Sequence, residues 1–190
     1  PEEGMVWLDK SHILTFEEIE RVARICVEHF HVDSLRLTGG EPTVRAHLPV
    51  LIGKLAALRL PLDAATARAG MAPDLALTTN GSTLRNNASE LHAAGLERIN
   101  ISLDSLQREK FERMTRRDEL HNVLEVIRAA QDAGFAPVKV NAVIERGVND
   151  DEIVALAEFG RDNGVEVRFI DFMPLDASDE WERNKVVSQD

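Results

Sequence analysis

Arg36, Lys139 and Arg168 sit inside segments that otherwise read as apolar strands, and a cation in such a place calls for an anionic partner. Read in steps of two, five short segments present Arg36 and Thr38; Ala76, Thr78 and Asn80; Asn100, Ser102 and Asp104; Lys139 and Asn141; Arg168 and Ile170. The opposite face of each is almost wholly apolar, as alternation along a strand requires. The first segment runs directly into Thr38-Gly39-Gly40-Glu41-Pro42. Two glycines there let backbone amides and carbonyls approach a ligand, Glu41 can accept hydrogen bonds from a ligand ammonium, and Pro42 stiffens the turn. That chemistry suits the amino-acid end of a small molecule. No Gly-Lys-Ser/Thr follows, so this is not a P-loop, and the third glycine of the dinucleotide fingerprint is missing. A plain tight turn between strand and helix is the competing reading of the same residues.

Five such strands must be positioned by something, and helical stretches separate them. Thr15 and Glu18 form a capping box, after which Phe16, Ile19, Val22, Ala23, Cys26, Val27 and Phe30 recur at helical spacing. The strand at 34–38 is followed by a helix through Leu48, Leu51, Ile52, Leu55 and Leu58. Residues 60–74 contain two prolines, a glycine and a run of small residues, and read as an irregular, mobile insertion. Regular units follow, with strands at 75–79, 98–103, 138–144 and 166–170. Ala94-Gly95-Leu96, Ala133-Gly134-Phe135 and Asn163-Gly164-Val165 repeat one joint from helix to strand, with glycine at the C-cap. Asn149 and Glu152 read as caps of the last helix. Beyond Pro174 the tail is polar without a clear element, and Trp181 reads as a residue docking the tail on the body.

Strands alternating with helices give an α/β fold with parallel strands. A doubly wound open sheet and an arc of a TIM-type (βα) barrel both satisfy that pattern. Charged residues within several strands favour the arc, whose lumen a ligand fills. About five βα units are present, so the expectation is a partial barrel with open first and last edges, a single domain over 1–190 truncated at both ends.

The chain has 190 residues, 44% of them hydrophobic, and a formal net charge of −11, with an isoelectric point near 5.0. It is long enough for one sizeable core, and no apolar run approaches a membrane span. An acidic chain lacks the basic field that non-specific nucleic-acid binding needs. The single cysteine, Cys26, rules out an internal disulfide and fits a reducing cytoplasm. Pro1-Glu2-Glu3-Gly4 has no signal-peptide character, and a chain beginning at Pro1 reads as a piece of something longer.

Six motifs together carry a resemblance: Leu35-Arg36-Leu37-Thr38-Gly39-Gly40-Glu41-Pro42, Leu77-Thr78-Thr79-Asn80-Gly81, Arg98-Ile99-Asn100-Ile101-Ser102-Leu103-Asp104, Val138-Lys139-Val140-Asn141, Gly147-Val148-Asn149-Asp150 and Arg168-Phe169-Ile170-Asp171-Phe172-Met173. In this order they resemble the MoaA family, the radical S-adenosylmethionine (SAM) GTP 3′,8-cyclases of molybdenum cofactor biosynthesis. The resemblance covers nearly the whole chain and implies a radical SAM core. It implies that Gly39, Gly40 and Glu41 hold the methionine end of SAM, that Ser102, Asn141 and Met173 contact its nucleoside part, and that Arg36, Thr78, Lys139 and Arg168 hold GTP. It implies conversion of GTP to (8S)-3′,8-cyclo-7,8-dihydroguanosine 5′-triphosphate, begun when a 4Fe-4S cluster cleaves SAM to a 5′-deoxyadenosyl radical that abstracts a ribose hydrogen. The family's cysteine motifs are absent from these residues, so the cluster ligands are expected outside this chain and the chain alone is expected to be inactive.

Cys26 lies on the apolar stripe of a helix and reads as core packing. The six histidines show no ligand spacing and read as surface residues, and Arg116-Arg117-Asp118-Glu119 reads as a solvated helix junction. No residue reads as an acid–base catalyst. Lys139 and Arg168 read as phosphate holders, since neither strand offers them a carboxylate neighbour. Another radical SAM enzyme, a barrel enzyme acting on a phosphorylated metabolite, and a non-catalytic ligand-binding fragment share these features. The residues leave the oligomeric state open, a homodimer being one option.

Overall fold

Strand order separates the two candidate architectures. In the computed structural model, described for residue 9 and residues 12–174 and 181–187, five strands lie side by side in chain order. They are β1 (Ser34–Leu37), β2 (Asp74–Thr79), β3 (Arg98–Ser102), β4 (Val138–Ile144) and β5 (Glu166–Asp171). Every neighbouring pair is parallel. A doubly wound sheet reverses its order at a switch point, whereas this one never does, so successive crossovers of one hand stack the helices on a single face. The result is the arc of a barrel, with β1 and β5 as its edges.

The helices are α1 (Phe16–Phe30), α2 (Leu48–Ala56), α3 (Ala88–Ala93), α4 (Arg108–Thr115), α5 (Leu120–Asp132) and α6 (Ile153–Asn163). Leu75, Leu77, Ile99, Ile101, Val138 and Val140 on the strands meet Val27, Ile52, Leu55, Leu91, Val126 and Ile127 on the helices in one core. The capping box of α1 forms as its sequence requires, with the Thr15 side chain accepting from the Glu18 amide and Glu18 accepting from the Thr15 amide. All three repeated joints form too. Gly95, Gly134 and Gly164 have φ of 107°, 100° and 65°, and the next residue's amide reaches back to the carbonyl of Leu91, Ala130 or Gly160.

Several expectations need correction. Within α1 only Ala23 and Val27 are fully buried; Val22 and Phe30 are exposed, and Cys26 is half-buried rather than a core residue. The helix packs chiefly on α2, and Val22, Ile25 and Phe30 stay exposed. The insertion expected to be mobile is fastened down. Leu60 and Ala64 are buried, the Leu60 amide donates to Met71 O, Thr66 Oγ1 donates to Asp33 and Arg68 grips Glu97. Asn149 and Glu152 cap no helix with their side chains; both are buried ties between loops, described below. The tail is less featureless than its composition: a turn at Arg183–Lys185 leads Val186 into a bridge with Glu145, and Trp181 docks by donating Nε1–H to Phe172 O at 2.9 Å. The Pro1–Gly4 segment lies outside the described residues.

Candidate active site

Pairing register turns the alternation of single strands into rows across the concave face. One row runs Thr78, Asn100, Lys139, Glu166, and the next runs Ser102, Asn141, Arg168. Thr78 and Lys139 therefore share a row, with Arg168 one row closer to the carboxyl edge. Arg36 stands two residues along β1, paired in register with Ala76. Among the described residues it is exposed and has no hydrogen-bond or ion-pair partner.

The cations of β4 and β5 are not alone. Glu166 lies two residues before Arg168 on the same face of β5, which corrects the expectation that neither cation has a carboxylate neighbour. Its Oε1 accepts from Arg168 Nε at 2.8 Å and from Lys139 Nζ at 3.1 Å, and its Oε2 lies 3.0 Å from the same Nζ. Alternation alone places Glu166 beside Arg168, so the residue was within reach of the sequence. Arg168 and then Lys139 hold the Glu166 carboxyl below its ordinary range.

The Gly39–Gly40 turn leaves β1 at the carboxyl edge, and a Cβ on either glycine would meet nothing within 4 Å. Open space therefore faces this backbone. Glu41 is engaged with the protein itself. Its Oε1 accepts from the Thr43 amide (3.0 Å), Thr43 Oγ1 (2.5 Å) and Thr79 Oγ1 (2.7 Å), while Oε2 accepts from the Asn80 amide (2.7 Å). One carboxylate thus locks the turn after β1 to the turn after β2. A carboxylate has about four lone-pair sites, two on each oxygen, and Oε2 retains one for a further donor.

At the same edge Asn141 Oδ1 is buried without a hydrogen-bond partner among the described residues. A buried orphan acceptor is costly unless a ligand donor completes it. Ser102 is half-buried beside it, and Met173 is exposed just past β5. The glycine turn, Ser102 and the orphan Asn141 acceptor fit a ligand carrying an ammonium and sugar hydroxyls. No group of three or more His, Cys, Asp or Glu that could hold a metal occurs among the described residues. The histidines are all exposed, and Cys26 stands on the outer layer, so an iron–sulfur cluster finds no ligand set here.

Beyond Leu103, whose amide still donates to Asn141 O, the β3–β4 ladder gives way to side chains. Asp104 accepts the Val143 amide at 2.8 Å. The Asn149 amide group donates to Asp104 O and Val143 O while its Oδ1 accepts from the Glu145 amide. Glu152, 2% exposed, accepts from Ser105 Oγ and the Leu106 amide. These groups fix the loop that follows Ser102 and carries Asp104. Burial pushes the Asp104 carboxyl up, and the Val143 amide partly offsets it. Nothing in the spacing of the sequence marked Asn149 and Glu152 as cross-ties, because the partners they reach on the loop after β3 lie about 45 residues away. The Arg116–Glu119 stretch is an exposed junction between α4 and α5, with Asp118 paired to Arg108.

Known proteins share both the sequence and this arc. Residues 5–160 match the Radical SAM superfamily. GTP 3′,8-cyclase of Streptomyces coelicolor is 43% identical over 188 residues, 99% of this chain and 52% of that protein. GTP 3′,8-cyclase of Rhodopirellula baltica is 42% identical over the whole chain and 50% of its own length. The chain thus spans about half the length of the curated relatives it matches. Among solved structures, HydG, a maturase of the [FeFe]-hydrogenase, superimposes with a TM-score of 0.64 at 17% identity over 92% of this chain and 40% of that one. Coproporphyrinogen III oxidase (HemN) from Escherichia coli, titled a radical SAM enzyme, gives 0.57 at 15% identity over 83% and 36%. With five parallel strands in chain order, a glycine turn at the carboxyl edge and a match over most of its length, the chain belongs to the Radical SAM superfamily.

Proposed function

We propose that this chain is the SAM- and GTP-binding core of a GTP 3′,8-cyclase, converting GTP to the 3′,8-cyclised dihydroguanosine triphosphate of molybdenum cofactor biosynthesis. The observation that carries the proposal is the concave face itself, where Arg36, Lys139 and Arg168 stand in an acidic protein on the side of the sheet away from the core. The likeness to GTP 3′,8-cyclases over nearly the entire chain supports GTP as the anion. Gly39 and Gly40 offer backbone to the methionine end of SAM, with Glu41 fixing their turn and keeping one acceptor site on Oε2 for the ammonium. Ser102 and Asn141 meet the nucleoside hydroxyls, and Met173 closes against the base. Arg36, Thr78, Lys139 and Arg168 take the triphosphate, neutralising charge that would otherwise repel an acidic surface.

A reduced 4Fe-4S cluster with SAM supplies one-electron chemistry when bound. The residues of this chain bind, orient and exclude water around it. A free cysteine and an oxygen-sensitive cofactor both suit a reducing cytoplasm, and no helix among the described residues is long and apolar enough to cross a membrane. On this reading the role of these residues is to bind SAM and GTP, with the cluster ligands supplied from elsewhere.

Equilibrium dialysis with labelled SAM and labelled GTP tests the proposal. Each ligand should bind the protein saturably, and Arg168→Ala should weaken GTP while leaving SAM unchanged. Binding of neither ligand, or equal loss of both in Arg168→Ala, would overturn it.

A further inference from the structure

Glu166 is out of place in a site meant for a polyanion. A carboxylate beside Lys139 and Arg168 adds repulsion to any incoming phosphate, and Coulomb's law alone predicts that the site would bind better without it. Its geometry argues otherwise. Glu166 contacts Arg168 only at Nε, and among the described residues neither terminal nitrogen of the guanidinium has a hydrogen-bond partner. The end of the guanidinium that binds two phosphate oxygens at once is thus left open. The same carboxylate holds Lys139 Nζ with both oxygens, although the Lys139 side chain is only 13% exposed while Glu166 is 44% exposed. Register puts Glu166 beside Lys139 and one row below Arg168, on the side away from the carboxyl edge where the glycine turn lies.

Resting on the reading of Lys139 and Arg168 as phosphate holders, we propose that Glu166 is a positioning residue. It fixes both cations from beneath so that their free donors converge on the substrate's phosphates. Two long side chains that would otherwise sample many rotamers are ordered before the ligand arrives, and the entropy of ordering them is not charged to binding. An exposed ion pair contributes little to stability, so the benefit appears in affinity and not in the fold.

The sign of one substitution separates this from simple electrostatics. Titration of the protein with GTP by calorimetry should show Glu166→Ala binding about tenfold more weakly than the parent, although the change removes a negative charge. Glu166→Gln keeps an acceptor for Arg168 Nε and should retain most of the affinity. SAM affinity, measured in parallel, should stay constant in both variants, which a general loss of folding would not allow. Tighter or unchanged GTP binding in Glu166→Ala would overturn the inference, as would a matching loss of SAM affinity. Arg168→Ala is the control for the underlying reading: if it leaves GTP affinity intact, the phosphate assignment falls first and the role of Glu166 with it.

Discussion

Replacing Glu41 by Gln changes one atom and tests what holds the glycine turn in place. A free carboxylate aimed at a ligand would make the substitution silent in the unliganded protein. Four protein donors on that carboxylate give another outcome. If the Gln oxygen takes the place of Oε1, it keeps Thr43 and Thr79 as donors but accepts from them without a charge. Its NH2 then faces the Asn80 amide, donor against donor. If the side chain flips, the donor-against-donor clash moves to the Thr43 amide, so neither rotamer satisfies the site. A hydrogen bond to a charged group contributes roughly 1.5–3 kcal/mol and leaving a buried donor unmet costs ~1–3 kcal/mol, which puts the total at about 2–3 kcal/mol for this half-buried position. In a domain of this size that lowers Tm by roughly 5–10 °C. Thermal unfolding followed by circular dichroism, without ligand, reads it directly. Thr79→Val should also lower Tm, because it removes a donor to Glu41 and the acceptor of the Gly81 amide while leaving the charge. An unchanged Tm for Glu41→Gln would refute the reasoning and return Glu41 to a purely ligand-facing role. A lowered Tm with weaker SAM binding is the expected pair of results, since Gly39 and Gly40 lose their anchor.

Lys139→Ala should weaken GTP binding by roughly 1.5–3 kcal/mol, a charged hydrogen bond's worth, with little change in Tm because Glu166 keeps Arg168; calorimetry checks both. Gly95→Ala should be far more damaging than Gly164→Ala. Both glycines have positive φ, which costs an L-residue about 1–2 kcal/mol, but a Cβ at Gly95 falls 2.6 Å from Ala56 Cβ while one at Gly164 has only Gln131 Nε2, at 3.9 Å; comparative urea unfolding ranks them. Asp104 should give stability a pH dependence of defined sign. Burial raises its folded-state pKa, so its favourable contribution is complete below the unfolded value, about 3.9, and is lost as pH rises through the folded value. Asp104→Asn keeps an acceptor for the Val143 amide and should gain on the parent between pH 4 and pH 7; equal differences at both pH values would refute this.

What could be read in advance follows from the range of the interactions. Alternation along a strand is local, so the polar face, the capping box at Thr15 and the three glycine joints were all legible. Barrel against open sheet was decided by polar residues within strands, and strand order agrees. The misreadings have a common cause. Asn149 and Glu152 carry the composition of a helix cap, but tertiary partners on the loop after β3 claim their side chains first. Glu41 reads as a free acceptor because its donors come partly from β2, nearly 40 residues on. The 60–74 insertion has the composition of a loose loop and is held by Asp33 and Glu97 from outside it.

Those tertiary ties share a location. Glu41 joins the turns after β1 and β2, Asn149 and Glu152 join the loops after β3 and β4, and Glu166 joins the cations of β4 and β5 on the same concave face. Each is an acidic or amide side chain spanning adjacent strands where the backbone ladder ends or a ligand must enter. Side-chain carboxylates and amides there take over where the ladder ends, and among the described residues Glu166 leaves the terminal nitrogens of Arg168 without a hydrogen-bond partner. The excess of acidic residues that argues against nucleic acid therefore has a local use at this mouth. There, carboxylates tie the turns after β1 and β2 together and hold the side chains of Lys139 and Arg168.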